Sequence, residues 1–151
     1  MRRKEKEIVE KPEIEAVIAA SKVCRLALAE NGHPYIVPLC FGYADDVLYF
    51  HSAAEGKKLD ILKQNNRVCF EFDIDAEVKT GKTACQWGMK FRSVIGFGKA
   101  YFIEDPESKR SALNVIMGQY GSGAFEFPDE TVAKTTVIRV EIESMTGKRA
   151  D

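Results

Sequence analysis

The dipeptide Asn31-Gly32 restricts the fold of this chain more than any other feature. Asn-Gly between two alternating apolar runs is the strongest short signal for a two-residue hairpin, because both central positions need a positive φ. Before it, Val23 to Ala29 alternates, with Cys24, Leu26 and Leu28 on one side and Arg25, Ala27 and Ala29 on the other. After it, Tyr35 to Tyr43 reads as a second strand. Pro38 inside that strand marks an edge, a bulge or a place where a ligand meets the backbone. Asp45-Asp46 then turns the chain into a third strand that begins Val47, Leu48, Tyr49, Phe50. Connections this short cannot carry a parallel crossover, so a doubly wound parallel sheet fits poorly and an antiparallel one fits well.

The remaining pattern predicts strands at Arg67–Asp73, at Trp87–Ile103 with a bulge near Gly96 or Gly98, and at Thr135–Ile142. Helices are predicted over Pro12–Ala20, where Ile14, Val17 and Ile18 share a face, and from Asp105 onward. In the second of these Asp105 caps, Pro106 takes the first turn, and Gly118, Gly121 and Gly123 end the helix. Met1 to Glu10 reads as a charged lead-in, Ala76–Ala84 as a surface loop and Met145–Asp151 as a tail. About six strands with helices outside predict a mainly β protein, a closed antiparallel barrel forming one domain over residues 1–151.

Composition excludes several functions. The formal net charge is −1, so no general field draws the chain to nucleic acid or to an anionic membrane. No apolar run is long enough to span a bilayer, and the basic start lacks the apolar region of a signal peptide. Cys24, Cys40, Cys69 and Cys85 include no Cys-x-x-Cys pair, and only His33 and His51 could join them, so no metal site is expected. Three of the four lie in strand-like apolar runs. Buried reduced thiols, and hence a cytoplasmic protein, are the expectation.

The chemistry concentrates between Val47 and Gln64. The third strand runs into a polar junction of His51, Ser52, Ala53, Ala54, Glu55 and Gly56. A short helix follows, with Leu59, Ile61 and Leu62 on its apolar face. Lys57 and Lys58 fall in its first turn, where the helix dipole disfavours cations. Two readings stand. Either both lysines are solvated surface charge, or an anion such as phosphate sits between them, shared with Ser52 and the open backbone donors, with Gly56 allowing close approach. The P-loop spacing is absent.

These residues resemble a known family. Tyr35-Ile36-Val37-Pro38, the run from Leu48 to Ala53, and Gly56-Lys57-Lys58 look like the nitroimidazole-resistance (Nim) proteins. Those are flavin-binding split barrels related to pyridoxamine 5′-phosphate oxidase. Trp87, then Arg92-Ser93-Val94, then Gly98-Lys99-Ala100 resemble the oxidase pattern of Trp, Arg-Gln-Val and Gly-Lys-Ala. The resemblance implies a six-stranded antiparallel split barrel of Greek-key type. It implies a homodimer with FMN at the subunit interface. It places the FMN phosphate on Lys57 and Lys58, with Ser52, Ala53 and Gly56 nearby. It sets the isoalloxazine against Pro38, Leu39, Cys40, His51 and Ser52, and adds Trp87, Ser93 and Lys148 as further contacts. Departures are plain. The oxidase's flavin-holding Arg and Lys on the second strand fall at Ile36 and Phe41, Ser93 is shorter than the matching glutamine, and no C-terminal segment grips pyridoxal phosphate.

Three functions follow as candidates. One is an FMN-dependent oxidoreductase acting on nitroimidazoles or similar small aromatic compounds, with His51 passing a proton. Another is a non-catalytic flavin- or haem-binding module for storage, sensing or transfer. The third is a cofactor-free dimeric interaction protein. True pyridoxamine-phosphate oxidation is not expected.

Overall fold

The predicted reversals form where the turn chemistry demands them. The computed structural model describes residues Met1–Asp151. Strand β2 (Cys24–Glu30) returns as β3 (His33–Leu39) through Asn31 and Gly32, at φ 49° and 79°. Strand β4 (Gly42–Ala44) returns as β5 (Val47–Ser52) through Asp45 and Asp46, at φ 49° and 63°. Both are two-residue turns with positive φ, a conformation that Asn, Asp and Gly tolerate best.

The remaining elements, in chain order, are β1 (Glu7–Ile8), α1 (Lys11–Ala20), α2 (Lys57–Gln64), β6 (Arg67–Lys79), β7 (Gly88–Ile103), α3 (Pro106–Tyr120), α4 (Asp129–Lys134) and β8 (Thr136–Ala150). All neighbouring strands pair antiparallel, in the order β3-β2-β6-β7-β8-β5-β4, with β1 added to β8. The expected second strand, Tyr35–Tyr43, is broken at Cys40–Phe41 into β3 and β4. Its first half pairs with β2 and its second half with β5. The broken strand is therefore the seam that closes the sheet. Counting it as one strand and setting β1 aside gives the six-stranded split barrel that the resemblance implies.

Alternation fills the barrel. Leu26, Leu28, Leu48, Phe50, Phe70, Phe72, Val94, Ile138 and Val140 point inward and are almost fully buried. Full burial of each such side chain contributes roughly 1.5–3 kcal/mol. Helix α2 plugs one end with Leu59, Ile61 and Leu62, and Ile14, Val17 and Ile18 of α1 join the same cluster. A smaller cluster lies outside, where Ala112, Leu113 and Ile116 of α3 and Val132 of α4 cover Val137. Asp105 caps α3 by accepting from the Ser108 N–H at 2.8 Å, as expected.

Several expectations need correction. The charged lead-in is structured: Ile8 is 2% exposed and pairs across from Gly147. The expected last strand and tail are one strand, Thr136–Ala150, kinked by an extra residue at Glu143 opposite the Phe97–Gly98 step. The irregularity thus falls beside Gly98, but the inserted residue is on the partner strand. The loop expected at Ala76–Ala84 is strand as far as Lys79, re-registered by a bulge between Ile74 and Glu77. Gly118 lies inside α3, which ends at Tyr120, and α4 was not foreseen. Among the cysteines Cys24 is buried and Cys69 half-buried, but Cys40 is exposed; all four are unbridged.

Candidate functional site

The seam does not close along its whole length. Gly42, Tyr43 and Ala44 lie opposite Tyr49, Leu48 and Val47. Continued in register, Cys40 would face His51, Leu39 would face Ser52 and Pro38 would face Ala53. None of these pairs forms, because β3 stays with β2 while the end of β5 stays with β8. The strands part and leave a split whose two lips are Pro38–Cys40 and His51–Ala53. Exposure follows the implied register: Cys40, His51, Pro38 and Ala53 are exposed, while Leu39 and Ser52 are half-buried. The six residues that the sequence assigned to ring contacts and their neighbours therefore stand on the two lips of one opening. Each lip offers backbone N–H and C=O groups with no ladder partner across the gap.

Beyond the β5 lip the chain crosses Ala54 and Glu55 and enters α2 at Lys57, where the sequence placed the helix start. The N-cap is Gly56, at φ 150° and ψ 160°, a conformation that glycine alone adopts without strain. No side chain caps this terminus. Lys57 and Lys58, at the first two helical positions, have N–H groups with no intrahelical acceptor. No carboxylate lies within 4.0 Å of either ammonium. Lys57 reaches back across the split, its Nζ 4.8 Å from the ring centroid of Tyr35 on β3. Burial lowers the pKa of Lys58, the effect expected of a half-sequestered cation without a counter-charge. Two lysines without a carboxylate partner, uncapped N–H donors and a glycine at the turn make a donor set that suits an anion. A flavin phosphate fits that donor set.

The other assigned contacts lie elsewhere. Ser93 on β7 and Lys148 on β8 are directly opposite one another, with Lys148 Nζ 5.6 Å from the Phe91 ring centroid. Eleven residues of β8 separate Lys148 from Val137, the partner of His51. At the rise of a strand that is roughly 35 Å. Trp87 stands at the base of the β6–β7 loop, 56% exposed, its indole N–H donating to the Gly81 carbonyl at 3.0 Å. One chain does not bring Trp87, Ser93 and Lys148 to the split. Between the two groups runs an uncovered outer sheet face. Along it Ile36, Ala27, Cys69, Phe97 and Ser144 lie in one cross-strand row, with Ile36 61% and Phe97 56% exposed. Arg92, next to Ser93, forms an exposed ion pair with Asp75 at 3.2 Å.

Two positions that the sequence pattern does not single out also touch the site. Tyr35 was quoted only as part of a motif, yet its ring carries Lys57. Tyr120, at the end of α3, reaches the broken seam and accepts from the Phe41 N–H at 3.0 Å. No local pattern announces that contact, which joins residues 79 positions apart.

The sequence profile of pyridoxamine 5′-phosphate oxidase matches residues 10–149. The chain belongs to that family. Its structure superposes on a candidate 5-nitroimidazole antibiotic resistance protein from Bacteroides thetaiotaomicron with a TM-score of 0.85, at 37% identity, covering 96% of this chain and 89% of that one. It resembles an FAD-binding protein from Mesorhizobium loti with a TM-score of 0.69, at 28% identity over 95% of this chain and 96% of that one. The flavocytochrome Anf3 from Azotobacter vinelandii shares the fold with a TM-score of 0.88, at 19% identity over 100% of this chain and 72% of that one. An uncharacterised protein of Rhizobium meliloti is 31% identical over 64 residues, so the chain aligns with only 42% of that curated relative. No helix is long and apolar enough to cross a membrane.

Proposed function

We propose that this member of the pyridoxamine 5′-phosphate oxidase family binds FMN in the split and reduces small flat aromatic acceptors of the nitroimidazole kind. The observation that carries the reading is the alignment of two unpaired lips with an uncapped, doubly cationic helix terminus. Lys57 and Lys58 hold the phosphate, and Gly56 lets the backbone approach it. The lips receive the ring edge through Pro38, Leu39 and Cys40 on one side and His51, Ser52 and Ala53 on the other. FMN supplies the redox chemistry when bound. His51 is exposed on the β5 lip, and in this reading its imidazole hands a proton to a substrate over that lip. The resistance-protein neighbour at 37% identity and the FAD-binding neighbour at 28% support a flavin ligand and an aromatic acceptor.

The working form in this reading is a symmetric pair of chains. Trp87, Ser93 and Lys148 reach a flavin only if a second copy presents them, and the uncovered row through Ile36 and Phe97 provides apolar surface for that contact. A second reading, flavin or haem held without turnover, is favoured by the neighbour at 28% identity, which is described by the FAD it binds. Titration of the purified protein with FMN, FAD, riboflavin and haem tests the ligand. Turnover with NAD(P)H and a nitroimidazole separates reductase from carrier. Protein that stays colourless and quenches no flavin fluorescence would sink the flavin reading.

A further inference from the structure

The place where the seam opens is set by a side chain from another part of the fold. In the β2–β3 ladder Cys24 lies opposite Leu39, so the next positions in register set Val23 against Cys40 and Lys22 against Phe41. The ladder stops short of both. Between the Phe41 N–H and the Lys22 carbonyl sits the Tyr120 hydroxyl, accepting from the former at 3.0 Å and donating to the latter at 2.8 Å. A phenol thus stands between two groups that face each other in the continued register. It satisfies both while holding them apart. Phe41 is fully buried, its ring 4.8 Å from that of Phe72 and 6.4 Å from that of Tyr120, and the Tyr120 hydroxyl is the partner its amide has in the folded chain.

We infer that Tyr120 is a positioning residue for the flavin site, a wedge that ends the β2–β3 ladder at Leu39 and so fixes where the broken strand leaves β2 for β5, which sets the end of the Pro38–Cys40 lip. The inference rests on the flavin reading above. Burial pushes the phenol up to about 12, so across neutral pH it keeps the one proton that lets it donate and accept together. The neighbouring Gln119 provides a control. Its side-chain amide meets the Ile18, Ala19 and Ser21 carbonyls at 3.3, 3.1 and 2.8 Å, which ties α3 to the end of α1 and leaves the seam alone.

The test is Tyr120→Phe, with Gln119→Ala beside it. In apo protein, Tyr120→Phe should speed exchange of the Phe41 amide, since the acceptor is gone. In saturated protein it should shift the visible flavin spectrum. It should weaken FMN and riboflavin alike, by about three- to tenfold, the scale of one or two lost neutral hydrogen bonds. Gln119→Ala should lower Tm and leave the spectrum where it is. Wild-type protein that binds flavin, with Tyr120→Phe unchanged in spectrum and in both affinities, would overturn the positioning role alone. A shift of equal size in Gln119→Ala would overturn it too, by assigning the effect to general loosening of α3. Wild-type protein that binds no flavin would overturn the flavin reading and this role with it; Phe41 exchange would still judge the wedge.

Discussion

Replacing Lys57 and Lys58 together by Ala separates a phosphate site from surface charge, because the two predict opposite signs for apo protein and ligand. In apo protein both cations oppose the positive end of the α2 dipole, and no carboxylate offsets them. Each such charge costs about 0.3–1 kcal/mol at an exposed helix end. Removing both should leave the apo protein as stable or slightly more so. With FMN the balance reverses. Two charge-assisted contacts are worth roughly 3–6 kcal/mol gross. Lys57 is exposed, so screening puts the net at the lower end and the FMN dissociation constant should rise by about 10²-fold. Riboflavin, which lacks the phosphate, should change by less than about threefold. pH adds a second axis. Burial holds Lys58 below the ordinary lysine range, so the unfolded chain keeps that proton to higher pH than the folded apo chain does. Apo stability should therefore rise as pH climbs through the folded value toward the ordinary one. FMN affinity should fall over the same window as the ammonium loses its proton. Fluorescence titration of both ligands at several pH values, with thermal melts of the apo variants, reads all of these. Equal weakening of FMN and riboflavin would show that the lysines support the fold and not a phosphate.

Three further outcomes are expected. His51→Ala should keep FMN bound but slow acceptor reduction by about 10²-fold, read as reoxidation of prereduced, flavin-saturated protein; an unchanged rate would leave His51 as scaffold and solvent as the proton source. Light scattering should report a dimer at micromolar concentration, and Phe97→Asp, which sets a charge in the middle of the uncovered apolar row, should yield monomer; a monomeric wild type with flavin bound would remove the two-chain site. Asp105→Ala should lower Tm by about 2–4 °C through loss of the α3 cap. The Ser108 backbone N–H lowers the Asp105 pKa, so the wild-type advantage should be full above the ordinary carboxylate range and vanish as pH falls through the lowered value; an advantage that persists in acid would point to another cause.

What was legible in the sequence shares one property: the information lies within a few residues. Asn31-Gly32 and Asp45-Asp46 carry their turn geometry in their own backbone preferences. The helix start at Lys57 is marked by the change from a strand run to an apolar i, i+2, i+3 set at Leu59, Ile61 and Leu62. What was missed depended on partners. Met145–Ala150 is polar and reads as tail, yet β7 and the two residues of β1 hold it in a ladder. The inserted Glu143 hides its alternation by moving the inward positions from even to odd numbers. Ile74 to Lys79 likewise owes its strand form to β7 across a bulge. The α4 signals, Pro128 followed by Asp129 and Glu130, stand in the sequence, but a helix of six residues is too short to show a periodic face.

The candidate site shows the same division at finer scale. The identities of both lips were in the sequence, but the opening between them was not. Cys40-Phe41-Gly42 continues the apolar run of Tyr35–Leu39, and local propensity reads it as one strand. The one hint is Gly42, buried in mid-run. Added there, a Cβ would lie 2.6 Å from the backbone N of Ile116, so the glycine lets α3 press directly on the seam. That contact brings the end of α3 to the break, where Tyr120 occupies the place between Lys22 and Phe41. A closed barrel would have no free lips, and its backbone groups would satisfy one another. Where the broken strand leaves β2, the Phe41 N–H and the Lys22 C=O find their acceptor and donor outside the sheet, and a long-range contact is what a period-two reading of one strand cannot contain. The point at which the strand crosses from β2 to β5 is therefore tied to where α3 ends. Substitutions in the last turn of that helix should alter the lips more than conservative changes on the exposed face of β3 itself.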